Sequence, residues 1–343
     1  MRCHVLVLVV GLISQTPSRT PPTEIFTALG LTSEQSASIE SGRPVAKVLP
    51  WGGPSEVYVF GAVHVDGAPE TYLKAARDVS RLRGTPGYLG VGELPADPTV
   101  SDLTPLTLDA DDVKALKNCR EGSCDVQLPT ASIQAVRDTV NFSRPGAAEQ
   151  VNALARQMIV ALLRTYRQGG LRALGEYRDK EHPARVSDEF ETMMNRASVL
   201  PDVMPELRRY LLEYPNAPLP NADSFFFWEK VEFGLKPTIR VNHAVIARGR
   251  TTRGDEYGTV AIKQLYATHY FHTALDVSVC VDDGGSRRTR GFYLLTIKGS
   301  QQEGLTGLKG SILRKVVVDK TRESLERALA SIKRTVEQSS PRS

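Results

Sequence analysis

Val57-Tyr58-Val59-Phe60-Gly61-Ala62-Val63-His64-Val65 has almost nothing polar on either face of an extended chain. Side chains alternate across a strand, so Val57, Val59, Gly61, Val63 and Val65 take one face and Tyr58, Phe60, Ala62 and His64 the other. A strand apolar on both sides is expected to be covered on both sides. Just beyond it, Pro69-Glu70 opens a helix through Leu82, with Tyr72, Ala75, Val79 and Leu82 at helical spacing. Upstream, Arg43 to Leu49 reads as a neighbouring strand, separated by the turn signal Pro50-Trp51-Gly52-Gly53-Pro54. Downstream, Tyr88 to Leu94 reads as a third strand.

From about Ala96 the pattern becomes helical. Short helices are expected over Asp109 to Lys117 and Thr130 to Thr139. A long one follows Ser143 and Pro145 to Gln168, stops at Gly169-Gly170, and carries Val151, Leu154, Met158, Leu162 and Tyr166 in one stripe. Two more cover Ser187 to Asn195 and Pro205 to Tyr214. The block Phe225-Phe226-Phe227-Trp228 reads as core where this middle segment rejoins the sheet, or alternatively as a pocket mouth or membrane-facing patch. Strand-like runs then fill Ile239 to Ala247, Thr259 to Phe271, Asp276 to Val281 and Gly291 to Lys298. Arg322 to Glu337 is an amphipathic helix, with Leu325, Ala328, Leu329, Ile332 and Val336 on one face. Ser311 to Asp319 fits a strand or an earlier helical turn.

The fold class is therefore α+β: an antiparallel sheet with a long C-terminal helix and a large helical segment between its early and late strands. Val57 to Glu70, a strand running into small-Pro-Glu and a helix, resembles the opening of the START-like, helix-grip family. Leu325-Glu326-Arg327-Ala328-Leu329 with Ile332-Lys333 resembles that family's closing helix. The resemblance covers roughly half of the chain in two pieces and departs from the family in the helical middle. It implies a curved sheet wrapped around the last helix, with an apolar cavity between them that holds a lipid or other apolar small molecule. The divisions that follow are 1–23 as signal peptide and exposed leader, 24–95 as the first strands and helix, 96–236 as a helical insertion or lid, and 237–343 as the late strands and closing helix.

Composition narrows the partners. With 43 basic against 39 acidic side chains, the net charge of +4 does not demand nucleic acid, and none is expected as a partner. Met1-Arg2-Cys3-His4 followed by the apolar run Val5 to Ile13 describes a secretory signal; as a helix, nine residues span about 14 Å, too short for a bilayer core of about 30 Å. The expected location is thus exported, periplasmic or secreted, the alternative for the run being a buried first strand. Cys119 and Cys124, spaced around Gly122, are close enough for a disulfide loop across a turn, with two free thiols as the alternative. Cys280 reads as a packed strand thiol.

Candidate chemistry is sparse. No nucleophile-elbow, HExxH, phosphate-loop or GxGxxG pattern occurs, and no metal or cofactor is expected. In Tyr266-Ala267-Thr268-His269-Tyr270-Phe271-His272 a strand sends the two histidines to opposite faces, which disfavours a shared metal. Lys263 and His269 are expected on one face with Leu265, and Gln264, Tyr266 and Tyr270 on the other. Tyr266, His269, Tyr270 and Lys263 are the candidate ligand contacts, joined by Glu93, a strand-end carboxylate that burial would turn into a proton-transfer group. If the late strands form a meander, Arg248, Arg250, Arg253, Arg287, Arg288 and Arg290 crowd one rim, suited to an anionic membrane surface or an acidic partner, the alternative being two ordinary solvated hairpin tips. Two other classes stay open: a cyclase- or hydrolase-like cavity enzyme using His269, Tyr266 or Glu93, and an interaction protein working through its helical middle.

Overall fold

A computed structural model describes residues 22–196, 204–232, 236–250, 256–283, 291–305 and 307–339. The expected signal segment, Met1 to Ile13, lies outside the described residues. In chain order the elements are α1 (Pro22–Ala28), α2 (Ser33–Glu40), β1 (Val45–Leu49), β2 (Glu56–Asp66), α3 (Pro69–Arg77), β3 (Tyr88–Leu94), α4 (Ala110–Leu116), α5 (Thr130–Thr139) and α6 (Ala147–Gly169). Then come the short pair β4 (Glu176–Tyr177) and β5 (Ala184–Arg185), α7 (Val186–Arg196) and α8 (Pro205–Glu213). The last third holds β6 (Ala222–Val231), β7 (Thr238–Arg250), β8 (Glu256–Ala267), β9 (Phe271–Asp282), β10 (Gly291–Gln302) and α9 (Gly307–Ser339).

The chain is α+β, and eight strands form one antiparallel sheet in the order β1-β2-β10-β9-β8-β7-β6-β3. Strands β6 to β10 are a meander whose last member returns to pair with β2, so residues from both ends of the chain meet in the middle of the sheet. The aromatic block Phe225 to Trp228 is the centre of β6 and is buried, which moves the end of the helical middle back from Lys236 to about Ala222.

Both faces of β2 are covered, as its double alternation requires. Val57, Val59, Val63 and Val65 pack with Tyr72 and Leu73 of α3 and with Leu325, Leu329 and Val336 of α9. Tyr58, Phe60 and Ala62 pack on the opposite side with α1, α2, α6, α7 and α8. Full burial of each such side chain contributes about 1.5–3 kcal/mol, so a strand of this composition anchors two helical layers at once. The sheet is the middle of three layers.

Local differences from the sequence pattern have local causes. The early helix splits at Asp78, whose side chain caps the following 3-10 turn through Ser80 N at 3.1 Å. Ser311 to Asp319 is helical and belongs to α9; the β-branched run Val316-Val317-Val318 is held in the helix by packing of Leu313, Val317 and Val318 on the sheet. At Gly61 the helix comes so close that an added Cβ would sit 2.7 Å from Leu325 Cδ2 and 2.8 Å from Leu329 Cδ1. Leu325 and Leu329 thus fill the space where the resemblance places a cavity.

Candidate functional site

The apolar cavity lies on the opposite face, between the sheet and the helical middle. It measures about 90 Å³ and is walled by Leu128 and Val136 around α5, Leu154 and Met158 of α6, and Leu265 and Tyr266 of β8, with Ser132, Glu176, Tyr177 and Thr268 as polar members. The helices bring their apolar stripes to it because α6 is amphipathic along its whole length, and Val151, Ile159, Leu163 and Tyr166 are buried on its inner side.

Tyr266 reaches this cavity through an irregularity. Register slips between Val241 and Asn242, so Leu265 is an extra residue in β8 and Tyr266 stands opposite Val241. The bulge turns Tyr266 to the face that also carries Lys263 and Leu265, correcting the strict alternation expected for Gln264, Tyr266 and Tyr270. Tyr266 donates its hydroxyl to Gln127 O at 2.9 Å.

His269 and Tyr270 are not strand residues. Thr268, His269 and Tyr270 make the β8–β9 connection, and Tyr270 has a left-handed φ of 65°. Gln127 holds the connection from the other side: its backbone N–H donates to Thr268 O at 2.8 Å, and its Nε2 to Ala267 O at 3.1 Å and Phe271 O at 3.0 Å. His269 Nε2 lies 3.0 Å and 3.1 Å from the two Asp112 oxygens, both side chains buried, and Tyr270 OH accepts from Lys236 N at 3.0 Å. Their partners tie the turn to α4 and to the start of β7. His272 points to Glu189 at 3.1 Å, so the two histidines serve different carboxylates.

The cavity roof carries the disulfide. Cys119 and Cys124 are bonded, and both pack with Leu116, Val126, Leu128, Ile133 and Val136. Their loop is sewn to the segment after β4: Gly122 N donates to Arg178 O at 2.8 Å, Cys124 N to Asp179 O at 2.9 Å, and Lys180 Nζ to Cys124 O at 2.6 Å. Asp179 is itself buried, and burial raises its carboxyl to about 6 despite Lys180 and His272 nearby.

Lys263 sits deeper, on the cavity's face of the sheet and outside its wall. Its Nζ donates to Leu211 O, in the last turn of α8, at 2.9 Å, and lies 4.4 Å from the Phe190 ring centroid and 5.2 Å from that of Tyr166. Beside it His243 meets Tyr166 OH through Nδ1 at 3.1 Å, while its Nε2 has no hydrogen-bond partner among the described residues. The sequence carries one signal for this pair, a lysine and a histidine inside otherwise apolar strands, and of the two only Lys263 stands among the candidate ligand contacts.

Glu93 is half-exposed and accepts both ends of the Arg77 guanidinium at 2.8 Å, while Arg77 Nε donates to Asp223 at 2.7 Å and its Cζ stacks 4.1 Å over Phe225. It is a surface strut away from the cavity, where solvent and Arg77 replace the burial a proton-transfer carboxylate needs. The β7–β8 and β9–β10 connections do leave the sheet at one end, since Arg250 pairs with Glu256 and Asp282 with Phe292. Arg248 lies 3.8 Å from Glu70, and Arg250 bonds to Glu256. Arg253, Arg287, Arg288 and Arg290 lie outside the described residues. Among the described residues no group of three His, Cys, Asp or Glu side chains is arranged to hold a metal ion, and no helix is long and apolar enough to cross a membrane.

Compared with known proteins, the chain matches no family model and no curated protein.

Proposed function

We propose that this is an exported START-like protein that binds an apolar small molecule, held in the cavity between the sheet and α4–α6. The observation that carries the proposal is the cavity itself: about 90 Å³, walled mainly by aliphatic side chains and reached by Tyr266. Apolar cavities take up hydrocarbons; one of about 150 Å³ lined by Leu, Ile and Phe accommodates benzene. The occupant here is accordingly smaller, a short aliphatic molecule or the tip of a longer one. A START-like ancestry is supported by the element order, a first long strand and early helix, then a meander returning to that strand and a long final helix on one face. Export is supported by the basic and apolar leader Met1 to Ile13 and by the disulfide between Cys119 and Cys124.

The test is a panel of small hydrocarbons and short-chain lipids against the purified protein, read by thermal shift and by the methyl resonances of Leu154, Leu265 and Met158. Binding at a hundred times Kd stabilises by about 2.7 kcal/mol and raises the melting temperature. A cavity-filling variant, Leu154→Phe, should abolish the shift. If no member of the panel binds, or the filled variant binds as well as the parent, the cavity is not a ligand site.

A further inference from the structure

The seam between the cavity roof and the end of the sheet is crossed by charge. Glu176 and Tyr177 line the cavity, and the residues after them are tied to the disulfide loop through the backbone: Arg178 N donates to Leu128 O at 2.9 Å, and Ser123 bridges to Lys180. On its other side the same segment meets three separate elements. Glu189 lies in the first turn of α7, His272 at the start of β9, and Glu303 just after β10. His272 Nδ1 is 3.1 Å from both Glu189 oxygens, and Lys180 Nζ is 3.8 Å from Glu303 and 4.0 Å from Asp179.

Three carboxylates thus share one ammonium and one imidazole, an excess of negative charge that protons relieve. Among the described residues, the charges that bear on His272 are those of Glu189, Glu303 and Asp179, and those that bear on Asp179 belong to Glu303, Lys180 and His272. Nearby Arg178 and Arg185 pair with Glu176, Arg185 also reaches Asp188, and burial keeps the Tyr177 phenol neutral. Burial opposes charge on His272, but the Glu189 bond and the surrounding carboxylates outweigh it and raise the imidazole above its ordinary value. Burial, with Glu303 adding to it, raises Asp179 from 3.8 to about 6.

Both groups therefore hold a proton more firmly with the seam closed than with it parted, so proton uptake favours closure. The penalty at Asp179 is absent below 3.8 and complete above about 6. The contribution of His272 is complete below 6.5 and fades as pH rises through its folded value. The two act in the same direction.

We propose that Asp179, Lys180, Glu189, His272 and Glu303 form a proton-operated latch, which holds the disulfide roof down on the sheet when His272 and Asp179 are protonated and loosens it when they are not. As a gate to the cavity the latch rests on the ligand-site reading above; as a closure of the roof it does not.

The experiment follows amide exchange in the ligand-free protein at about pH 5 and about pH 8, with each rate divided by that of the unfolded peptide at the same pH. Protection at Gly122, Cys124 and Arg178 should fall at least about tenfold at the higher pH, while amides in β7 and β8 keep theirs. Asp179→Asn, which has the shape of the protonated acid, should hold protection at about pH 8 near the value at about pH 5. Glu303→Gln, at the more exposed margin, should do the same to a smaller extent and serves if the asparagine variant folds poorly. Flat protection in the parent, loss in step with β7 and β8, or a pH dependence that survives in Asp179→Asn combined with His272→Gln would each overturn the latch. Xenon, followed at the methyl resonances of Leu154 and Met158, tests the gate, and its entry should be faster at about pH 8. Equal entry rates would overturn the gate. Failure of xenon to bind at either pH would strike the ligand site, and the exchange data would still decide the latch.

Discussion

Lys263 and His243 stand directly opposite each other on β8 and β7, both without exposed surface. Burial lowers Lys263 to about 7, and burial together with the Lys263 charge lowers His243 to about 3. The imidazole is therefore neutral at any pH at which the protein is handled. The lysine is poised between its two forms near neutrality, with Leu211 O and the rings of Tyr166 and Phe190 as the groups that meet its charge.

Replacing that lysine by an apolar side chain of similar length should stabilise the fold. Unfolded, Lys263 titrates near 10.5; folded, near 7. Between those values the unfolded chain holds a proton that the folded one does not, so stability rises as pH goes from about 7 to 10.5 and is lowest below 7. Lys263→Met removes the burial penalty and leaves Leu211 O without its donor, a net gain of about 1–3 kcal/mol at pH 6 that shrinks towards pH 10. Urea titrations of both proteins across that range measure it. A variant less stable at every pH would mean that the ammonium is a net support of α8.

Gly61 is the point where α9 touches the sheet most closely. Gly61→Ala places a methyl group 2.7–2.8 Å from Leu325 and Leu329, and overpacking of this kind costs about 1–3 kcal/mol. In a Leu325→Ala background the same substitution should cost distinctly less, because the displaced side chain is gone. A double-mutant cycle gives the coupling directly. Additive effects would show that α9 moves away freely and does not press on β2.

The disulfide should act locally as well as globally. A loop closed over so few residues is worth about 2 kcal/mol by chain entropy, and Cys119→Ser with Cys124→Ser is expected to lose about that much. Amide exchange at Gly122 and Cys124, which donate to Arg178 and Asp179, should speed up well before exchange in β7 or β8 does. Uniform acceleration across the protein would instead mean that the roof and the sheet open together.

Much of the fold was legible because periodicity is a local property. The double alternation of Val57 to Val65 located the strand with two covered faces, and the helical stripes of α5, α6 and α8 appeared at nearly their observed bounds. The β8–β9 connection was hidden because Thr268-His269-Tyr270 contains none of the usual turn residues, and Tyr270 takes a left-handed φ that glycine or asparagine would have advertised. The bulge that swings Tyr266 towards the cavity is set by a mismatch in pairing with β7, and no single strand records it. The cavity is harder still: its wall is assembled from several elements, α4, β7 and β8 each contributing one ordinary aliphatic residue, Leu116, Ile239 and Leu265. Tyr177 sits in a two-residue strand too short to leave any pattern.

The pairing of β2 with β10 also dictates when this protein can finish folding. Glu56 to Asp66 is synthesised more than 200 residues before its inner neighbour Gly291 to Gln302 and before the helix Gly307 to Ser339 that covers one face. Until then the strand has a bare edge and an uncovered valine face, the combination most prone to pair with another chain. Such distant contacts are slow to form, because the long intervening chain must be closed first. The nascent chain thus carries an incomplete sheet, open to such pairing, until Gly291 to Gln302 and the helix Gly307 to Ser339 have been made.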